Sequence, residues 1–251
     1  MTKILLCGAN GRMGKAISRL VFETDGAEIL CGVDINTESV DGFPVYADFQ
    51  SVPTRPDVII DFSNPANFEN LMNYALAEKC PVVVATTGLS KEQKEQLEAA
   101  AHSIPVFFSA NMSLGVNLLC ELAKKATAFL GESFDIEIVE KHHNQKLDAP
   151  SGTALAIADA VNEELNGAGR YIYDRHSVRK KREKNEIGIH AVRGGTIVGE
   201  HTVIFAGLNE VIELHHSATS REVFASGAVK AALFMSNRPA GFYNMSNLIN
   251  G

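Results

Sequence analysis

Residues 3–14, with the sequence KILLCGANGRMG, decide the fold of the first half of this chain. Residues 3–7 have an apolar strand pattern that runs directly into a glycine turn, and residues 15–24 have a helix-like pattern. A strand, a glycine turn and a helix in this order bind a dinucleotide pyrophosphate, because the turn permits close backbone approach and the helix start is partially positive. The spacing is G-x-x-G-x-x-G, with Asn10 in place of the usual second glycine. Asparagine tolerates left-handed backbone angles, so we expect the loop to keep its shape.

The acidic residue that such a fold uses on the cofactor is also present. A second apolar strand pattern, residues 28–33, ends in Asp34, twenty residues after Gly14. A carboxylate at this position usually accepts hydrogen bonds from both ribose hydroxyls of NAD. The alternative for Asp34 is a turn aspartate without a ligand.

The alternation of strands and helices continues through residue 113. Further strand patterns cover residues 57–61, 81–85 and 105–108, and helix patterns cover residues 66–79 and 90–101. Strands that alternate with helices of this length form a doubly wound parallel α/β sheet. Polar residues follow the strands at the edge where such sheets bind ligands, in the segments Ser63-Asn64, Thr86-Thr87-Gly88 and Ser109-Ala110-Asn111-Met112. We therefore predict a Rossmann-type dinucleotide-binding domain over residues 1–113.

The pattern changes beyond residue 114 and predicts a second, α+β domain over residues 114–219. Helix patterns cover residues 115–130 and 154–165, and strand patterns cover residues 134–139, 186–192, 196–205 and 210–216. Short glycine-containing connections join the last three strands, so we expect them in an antiparallel sheet with apolar residues on both faces. A second apolar face would pack on other subunits. A last helix pattern, residues 221–235, predicts that residues 220–251 return to cover the first sheet.

Residues 140–154, EKHHNQKLDAPSGTA, carry the chemistry of the second domain. The imidazoles of His142 and His143 titrate near neutrality, and the ammonium of Lys146 adds a positive charge. This combination predicts a site that holds a small acid and moves a proton. The alternative is a hydrogen-bonded histidine pair at a strand end, followed by an ordinary helix cap.

The Pro-Ser-Gly-Thr turn within this segment opens the helix that follows. Either Ser151 or Thr153 would accept hydrogen bonds from the first free N–H groups of that helix. Gly152 would let a ligand approach the backbone closely. A helix N-terminus of this kind favours a carboxylate or a phosphate.

Composition disfavours several other functions. The chain has 251 residues, a formal net charge of −7 and a pI near 5.6, so we expect no nucleic acid and no membrane surface as partner. We interpret the basic run at residues 179–184 as a solvated loop. The four cysteines lack C-x-x-C spacing, which indicates reduced, mostly buried thiols in a cytoplasmic protein. No apolar run has the length of a membrane span. Adjacent histidines on a strand point apart, so we expect no metal site from His142, His143, His215 and His216.

Together these motifs resemble the 4-hydroxy-tetrahydrodipicolinate reductase family, also called dihydrodipicolinate reductase, of the diaminopimelate–lysine pathway. The resemblance covers nearly the whole chain, and its most specific part runs from the histidine pair to the Gly-Thr turn. The segments that carry it are Gly8 to Gly14, Asp61-Phe62-Ser63, Thr86-Thr87-Gly88, Ser109-Ala110-Asn111, His142 to Thr153, Val192-Arg193-Gly194 to His201, and Gly241-Phe242-Tyr243.

The resemblance implies an NAD(P)H-binding domain, a substrate-binding and oligomerisation domain, and a homotetramer that binds a small dicarboxylate. It implies that the pyrophosphate and the adenine ribose lie on Gly8, Ala9, Asn10, Gly11, Arg12, Met13 and Asp34. It places the nicotinamide beside Ala85, Thr86, Thr87, Ser109, Ala110, Asn111 and Met112. It places the dicarboxylate on His143, Lys146, Ser151, Gly152 and Thr153, with His142 as proton donor and Lys146 as the second candidate.

One departure from the family pattern concerns the cofactor. Asp34 is followed by Ile35 and Asn36, whereas family members that use NADPH well often carry an arginine there. We therefore expect NADH as the preferred cofactor, with NADPH as the alternative. Two other functions remain open: another nicotinamide-dependent amino-acid dehydrogenase on the same scaffold, and a non-enzymatic NAD-binding redox sensor. Neither of them needs the complete segment from His142 to Thr153.

Overall fold

The computed structural model describes residues 1–39 and 42–251, which form two compact units. The first unit comprises residues 1–114 and 222–251, and the second comprises residues 115–221. The strands are β1 (Thr2–Cys7), β2 (Ala27–Val33), β3 (Val45–Tyr46), β4 (Val58–Asp61), β5 (Val82–Val84), β6 (Pro105–Phe108), β7 (Asp135–His142), β8 (Arg170–Ile172), β9 (Glu186–Arg193), β10 (Gly199–Ala206), β11 (Val211–Ala218) and β12 (Gly241–Tyr243). The helices are α1 (Arg12–Phe22), α2 (Phe68–Ala77), α3 (Lys91–Ala100), α4 (Leu114–Leu130), α5 (Gly152–Glu164), α6 (Val223–Met235) and α7 (Met245–Asn250).

The first unit contains a parallel sheet with the strand order β12-β6-β5-β4-β1-β2-β3. Helices α1 and α6 pack on one face of this sheet, and α2 and α3 pack on the other. The central strands are therefore buried on both faces, which is why their sequences are continuous apolar runs rather than alternating ones. The expected doubly wound sheet is confirmed. Residues of α6, in the C-terminal segment, lie in the apolar cluster on one face of this sheet.

The carboxyl ends of four strands meet at one edge of this sheet. Cys7 of β1 pairs with Asp61 of β4, Asp61 pairs with Val84 of β5, and Val84 pairs with Phe108 of β6. The loops that follow these residues are the glycine turn and the polar segments predicted from the sequence. The register therefore gathers the predicted cofactor residues at one edge.

The second unit is built on a sheet with the order β11-β10-β7-β9-β8. Strand β7 lies in the middle, antiparallel to β10 and parallel to β9. Helices α4 and α5 supply the apolar residues that pack on one face. The expectation that β9, β10 and β11 form an antiparallel sheet is wrong for β9, because β7 separates it from β10 and β9 pairs in parallel on both sides.

The expected second apolar face of this sheet is also wrong. Ile187 and Ile189 pair with Ile136 and Ile138 of β7, and Phe205 and Val203 of β10 pair with the same two residues. All six side chains therefore point to the face that the helices cover. Among the residues that suggested a second face, Val192 is 44% exposed and Ile197 lies in the turn before β10.

Three short strands and one short helix were not predicted. These are β3, β8, β12 and α7, each of six residues or fewer. Such short segments carry too few residues for a periodic pattern, and neighbouring strands determine their conformation. Strand β7 also continues three residues beyond the predicted end, so that it includes His142.

Candidate active site

The glycine turn at the carboxyl end of β1 has room for backbone only. Gly8 has φ of +77°, and a Cβ on it would lie 2.6 Å from the carbonyl oxygen of Phe62. A Cβ on Gly14 would lie 2.2 Å from the carbonyl oxygen of Gly8. Helix α1 begins directly after Gly11, and no side chain caps its first N–H groups. The turn therefore presents a bare helix start, which suits the pyrophosphate of a dinucleotide.

Asn10 supports this turn in a different way from the one expected. Its φ is not positive, so its tolerance of left-handed angles is not used. Its backbone N–H donates to Asp34 Oδ2 at 2.9 Å, and its side-chain amide donates to the carbonyl oxygens of Asn36 and Glu38 at 2.6 and 2.8 Å. The amide therefore ties the glycine turn to the segment that follows β2.

A cleft of about 420 Å³ opens beside the glycine turn. The turn, the end of β2 and the loop after β4 line it, with the residues Gly8, Gly11, Val33, Asp34, Ile35, Ala47, Phe62, Ser63, Asn64, Ala66 and Asn67. The second carboxylate oxygen of Asp34 accepts the N–H of Asn36 at 3.0 Å. Two backbone N–H groups thus orient this carboxylate toward the cleft, and the Ile35 side chain beside it is fully exposed.

The polar loops after β5 and β6 differ in how far they are buried. Ala85, Thr86 and Met112 are buried, whereas Thr87 and Ala110 are exposed. The loop after β6 is fixed by its own side chains, since Ser109 Oγ donates to the carbonyl oxygen of Asn111 at 2.7 Å and Asn111 Oδ1 accepts the N–H of Ser113 at 2.9 Å.

Asp61 is a buried carboxyl group at the same edge to which the sequence reasoning gave no separate role. Its Oδ1 accepts the Ser63 hydroxyl at 2.5 Å. Burial raises the pKa of Asp61, and the hydrogen bonds from Ser63 oppose that shift. Asp61 therefore stabilises the loop that forms one wall of the cleft.

His142, at the end of β7, belongs to a buried network around Glu140. The Glu140 side chain is completely buried, and its Oε2 lies 2.6 Å from His142 Nδ1. Arg193 donates to both carboxylate oxygens at 2.7 Å, and the N–H of Ser151 donates to Oε1 at 3.0 Å. Burial opposes ionisation, but the bonds from Arg193, His142 and Ser151 outweigh it, so the pKa of Glu140 lies below its usual value.

The sequence contained a signal for this network that was not used. Glu140 and His142 are two residues apart on one strand, so their side chains share a face. Arg193 lies opposite His142 in the parallel pairing of β9 with β7. The missing information was that β9 neighbours β7, which is a property of the sheet and not of either strand.

Helix α5 begins with the predicted turn, and Ser151 is its cap. Ser151 Oγ accepts the N–H of Ala154 at 3.1 Å, whereas Thr153 lies inside the first turn of the helix. A Cβ on Gly152 would meet no atom within 4 Å, so the space beside this helix start is open. Of the two candidate caps, the structure thus selects Ser151.

Lys146 lies in the loop between β7 and α5. Its ammonium is 2.9 Å from Asp148 Oδ1, and this hydrogen bond lowers the pKa of Asp148. Lys146 is 22% exposed and Asp148 58% exposed, so the pair can open toward an incoming anion. His143 is half-buried directly after the strand. One short segment of the second unit thus carries His142, Lys146 and the start of α5.

His201 is a further buried histidine of this region that was not predicted as a site residue. Its ring meets the His142 ring edge-on with 5.2 Å between centroids, and its Nε2 lies 3.1 Å from Ser151 Oγ. Burial, assisted by the nearby His142, lowers the pKa of His201 to about 4. His201 is the last residue of the segment Val192 to His201, which is one of the segments that resemble the family.

The second histidine pair lies on β11. His215 is exposed and its Nδ1 lies 2.9 Å from Thr202 Oγ1, whereas His216 is partly buried and burial lowers its pKa. Among residues 1–39 and 42–251, no group of three or more His, Cys, Asp and Glu side chains could hold a metal ion. None of the helices in the same ranges is long and apolar enough to cross a membrane.

The basic run at residues 179–184 is a solvated loop, as expected, and all of its residues except Arg182 are exposed. Arg182 is only 17% exposed, and it contacts Asp135 and Glu137 at 2.8 and 3.1 Å. Lys180 contacts Glu183 and Glu186 at 2.7 and 3.1 Å. These cations therefore pair with carboxylates of the sheet and its loops.

Two family models match the chain in succession. The model for the N-terminus of dihydrodipicolinate reductase matches residues 2–112, and the model for its C-terminus matches residues 115–249. A 4-hydroxy-tetrahydrodipicolinate reductase from Caldanaerobacter subterraneus subsp. tengcongensis is 54% identical over 249 residues, which cover 99% of this chain and 98% of the relative. One from Clostridium tetani is 48% identical over 250 residues, which cover 100% of this chain and 98% of the relative.

Solved structures agree with these matches. Dipicolinate-bound dihydrodipicolinate reductase from Paenisporosarcina sp. TG-14 superposes with a TM-score of 0.81 at 25% identity, over 97% of each chain. GenD2 from gentamicin A biosynthesis, in complex with NAD, superposes with a TM-score of 0.63 at 14% identity, over 99% of this chain and 90% of GenD2. The second likeness concerns the fold alone.

Proposed function

This chain belongs to the dihydrodipicolinate reductase family, and from that membership we propose which of its residues perform each part of the reaction. The chain is an NAD(P)H-dependent oxidoreductase that reduces 4-hydroxy-tetrahydrodipicolinate in the diaminopimelate and lysine pathway. The observation that carries the proposed roles is the single segment that combines His142, Lys146 and the open start of α5. We assign cofactor binding to the first unit, and substrate binding and tetramer formation to the second.

The glycine turn fits a dinucleotide, because Gly8 and Gly14 allow close backbone contacts that any Cβ would prevent, and the compact turn borders an open cleft. Backbone N–H groups at the start of α1 would hold the pyrophosphate, and the Asp34 carboxylate would accept the adenine ribose hydroxyls. The loops at Ala85 to Thr87 and Ser109 to Met112 would line the nicotinamide side. When bound, the reduced nicotinamide would supply a hydride to the conjugated cyclic imine that the substrate becomes when its 4-hydroxyl group leaves as water.

The substrate carries two carboxylates, and the second unit offers matching donors. Lys146 contributes an ammonium, and the open space beside Gly152 exposes the N–H groups at the start of α5. His143, Ser151 and Thr153 complete the proposed anion site. The reductase from Paenisporosarcina sp. TG-14 binds dipicolinate, a dicarboxylate of the same class.

After hydride addition, the carbanion-like atom of the substrate needs a proton. His142 is the proposed donor, because its imidazole ends β7 and is held at Nδ1 by Glu140. Lys146 is the second candidate, since it stands in the same loop. The donor must be protonated again before each turnover.

Two substitutions separate these roles. His142→Gln should lower kcat by roughly 10²- to 10⁴-fold, the usual contribution of a general acid, while NADH binding stays unchanged. Lys146→Ala should raise the KM for substrate and weaken inhibition by pyridine-2,6-dicarboxylate, a planar mimic. A kcat within about threefold of the parent in His142→Gln would exclude His142 as the donor. Unchanged binding of the mimic by Lys146→Ala would exclude the anchoring role.

We further propose that NADH is the preferred cofactor and that the protein acts as a homotetramer in the cytoplasm. Asp34 with the uncharged Ile35 and Asn36 supports the first part. The family resemblance supports the tetramer. The wide spacing of the four cysteines, all of which are free thiols, supports a reducing compartment.

A further inference from the structure

We propose that Glu140 is a positioning residue for proton delivery: it fixes the imidazole of His142 in the tautomer that leaves Nε2 to donate, and it ties this donor to the start of α5. The inference rests on the proposed role of His142 as the proton donor. It adds a role for Glu140, identifies Nε2 as the donating atom of His142, and connects His142 to the start of α5.

The hydrogen-bond pattern of Glu140 determines which imidazole nitrogen holds a fixed hydrogen. Its carboxylate is completely buried and accepts two bonds from Arg193, which is always protonated. An ionised carboxylate can only accept hydrogen bonds. The 2.6 Å contact with His142 Nδ1 therefore requires a hydrogen on Nδ1, and Nε2 is left as the nitrogen that gains and loses a proton.

The backbone of β10 leaves room beside that nitrogen. A Cβ on Gly199 would lie 3.1 Å from His142 Nε2, tighter than most Cβ contacts, and 3.4 Å from Cδ2, an ordinary contact distance. Gly199 does not have a positive φ, so its backbone conformation does not require glycine. The absence of a side chain at Gly199 therefore keeps the space beside His142 Nε2 free.

The same carboxylate also fixes the substrate-binding helix. Glu140 Oε1 accepts the N–H of Ser151, the cap of α5, at 3.0 Å. Arg193 Nη2 reaches from the carboxylate to the carbonyl oxygen of Asp148 at 2.6 Å. The ion pair of Glu140 and Arg193 thus fixes the part of the loop that follows Lys146 to β7 and β9. The donor and the anion site consequently keep a constant separation.

The charged and titratable groups around His142 come from every neighbouring segment. Glu140 lies on the same strand, Arg193 on β9, His201 on β10 and Lys146 in the loop. Replacing Glu140 with an uncharged residue leaves Arg193 without its counter-charge beside the imidazole. The neutral imidazole is then favoured, so the alkaline limb of the kcat profile should move to lower pH.

A double-mutant cycle between Glu140→Gln and His142→Gln tests this proposal. In the parent background, Glu140→Gln should lower kcat by roughly 10- to 100-fold, less than the loss of a general acid. In the His142→Gln background it should change kcat by less than about threefold, because its effect passes through His142. Glu140→Asp, which keeps the charge, should recover part of the lost rate.

Glu137→Gln supplies the matched control. Glu137 lies on the other face of β7 and also bonds a histidine, His190, at 2.7 Å, together with Arg175 and Arg182. Glu137→Gln should leave the alkaline limb of the kcat–pH profile unchanged. Glu140→Gln should move this limb to lower pH by about one unit. An equal loss of kcat in both backgrounds, or an unshifted limb, would overturn the proposal. If His142→Gln itself kept the parent rate, the donor role would fail first, and this proposal with it.

The tautomer can also be read in the parent protein, so a Glu140 variant that fails to fold does not decide the matter. Long-range ¹⁵N–¹H spectra distinguish protonated from bare imidazole nitrogens, and comparison with His142→Gln assigns the His142 signals. We expect a hydrogen on Nδ1 throughout the titration and a bare Nε2 at alkaline pH. A hydrogen on Nε2 with a bare Nδ1 would contradict the proposal.

Discussion

At the scale of single residues, we expect cofactor choice to depend on the side chains that follow β2. Asp34 is held toward the cleft by the N–H groups of Asn10 and Asn36, and the fully exposed Ile35 carries no charge. The 2′-phosphate of NADPH would approach the Asp34 carboxylate. Two unit charges 4 Å apart repel by roughly 4 kcal/mol at an effective dielectric of 20, and solvent should reduce this to about 1–3 kcal/mol.

We therefore expect catalytic efficiency with NADH to exceed that with NADPH by roughly 5- to 150-fold. Ile35→Arg should narrow the difference, because a guanidinium would offset the repulsion. Initial rates with both cofactors at fixed substrate measure the ratio. Equal efficiencies in the parent would show that Arg12, Lys15 or another base reaches the phosphate.

A second prediction at this scale concerns His201 and acid stability. Burial lowers its pKa from 6.5 to about 4, so between these pH values the unfolded chain binds more protons than the folded one. The stability linked to this residue is therefore complete above about pH 6.5 and is lost as the pH falls toward 4. The expected loss at pH 5 is about 2 kcal/mol.

Urea unfolding at pH 7.5 and pH 5.0 tests this expectation. Between these two conditions, His201→Gln should lose about 2 kcal/mol less unfolding free energy than the parent. His176→Gln changes an exposed histidine of the same unit and serves as the control. Equal acid sensitivity in His201→Gln and the parent would show that the buried imidazole does not control it.

Single residues also show what the sequence can and cannot predict about the site. The motif predicted which residues form the glycine turn, because Gly8 and Gly14 are required by close backbone contacts within that turn. The role of Asn10 was predicted wrongly, because its amide bonds carbonyl groups more than twenty residues away. Glu140 received no role for the same reason: its partner Arg193 is 53 positions distant.

At the scale of elements, the proposed anion site at the start of α5 would link helix stability to substrate binding. Ser151→Ala should lower the unfolding free energy by about 1 kcal/mol through loss of the cap. It should also raise the KM for substrate, since the first turn of α5 forms the proposed anion site. Ser90 caps α3, and its Oγ accepts the N–H of Gln93 at 3.2 Å. Ser90→Ala should therefore lower the unfolding free energy without changing the KM for substrate. If Ser151→Ala and Ser90→Ala changed the KM for substrate equally, the start of α5 would have no specific role in substrate binding.

The elements also explain where sequence reading fails for the fold. Most helices and longer strands were predicted, because amphipathic periods and buried runs are local properties. The pairing of β9 was predicted wrongly, because Gly194-Gly195 resembles a hairpin connection between β9 and β10. In the structure β7, more than forty residues earlier in the chain, lies between them. The sequences of β9 and β10 contain no local pattern that predicts the position of β7 between them.

At the scale of the whole molecule, the outer face of the second sheet bears on the proposed tetramer. The outer sheet face was expected to be apolar and to bind other subunits, but it carries polar groups such as Glu137, Lys141 and Glu200. The tetramer therefore rests on the family resemblance alone. We expect light scattering at micromolar concentration to give four times the chain mass of 27.1 kDa. A mass of one chain would refute the proposal.

Substrate-dependent oxidation of NADH by the purified parent protein is the direct test of the reductase activity. The unstable cyclic substrate is generated enzymatically in the same cuvette, and absorbance of the reduced cofactor is followed with and without it. We predict oxidation of NADH that requires the substrate, equals it in amount and is slowed by roughly 10²- to 10⁴-fold in His142→Gln. Binding of NADH without any substrate-dependent oxidation of NADH or NADPH would contradict the account and favour a redox sensor.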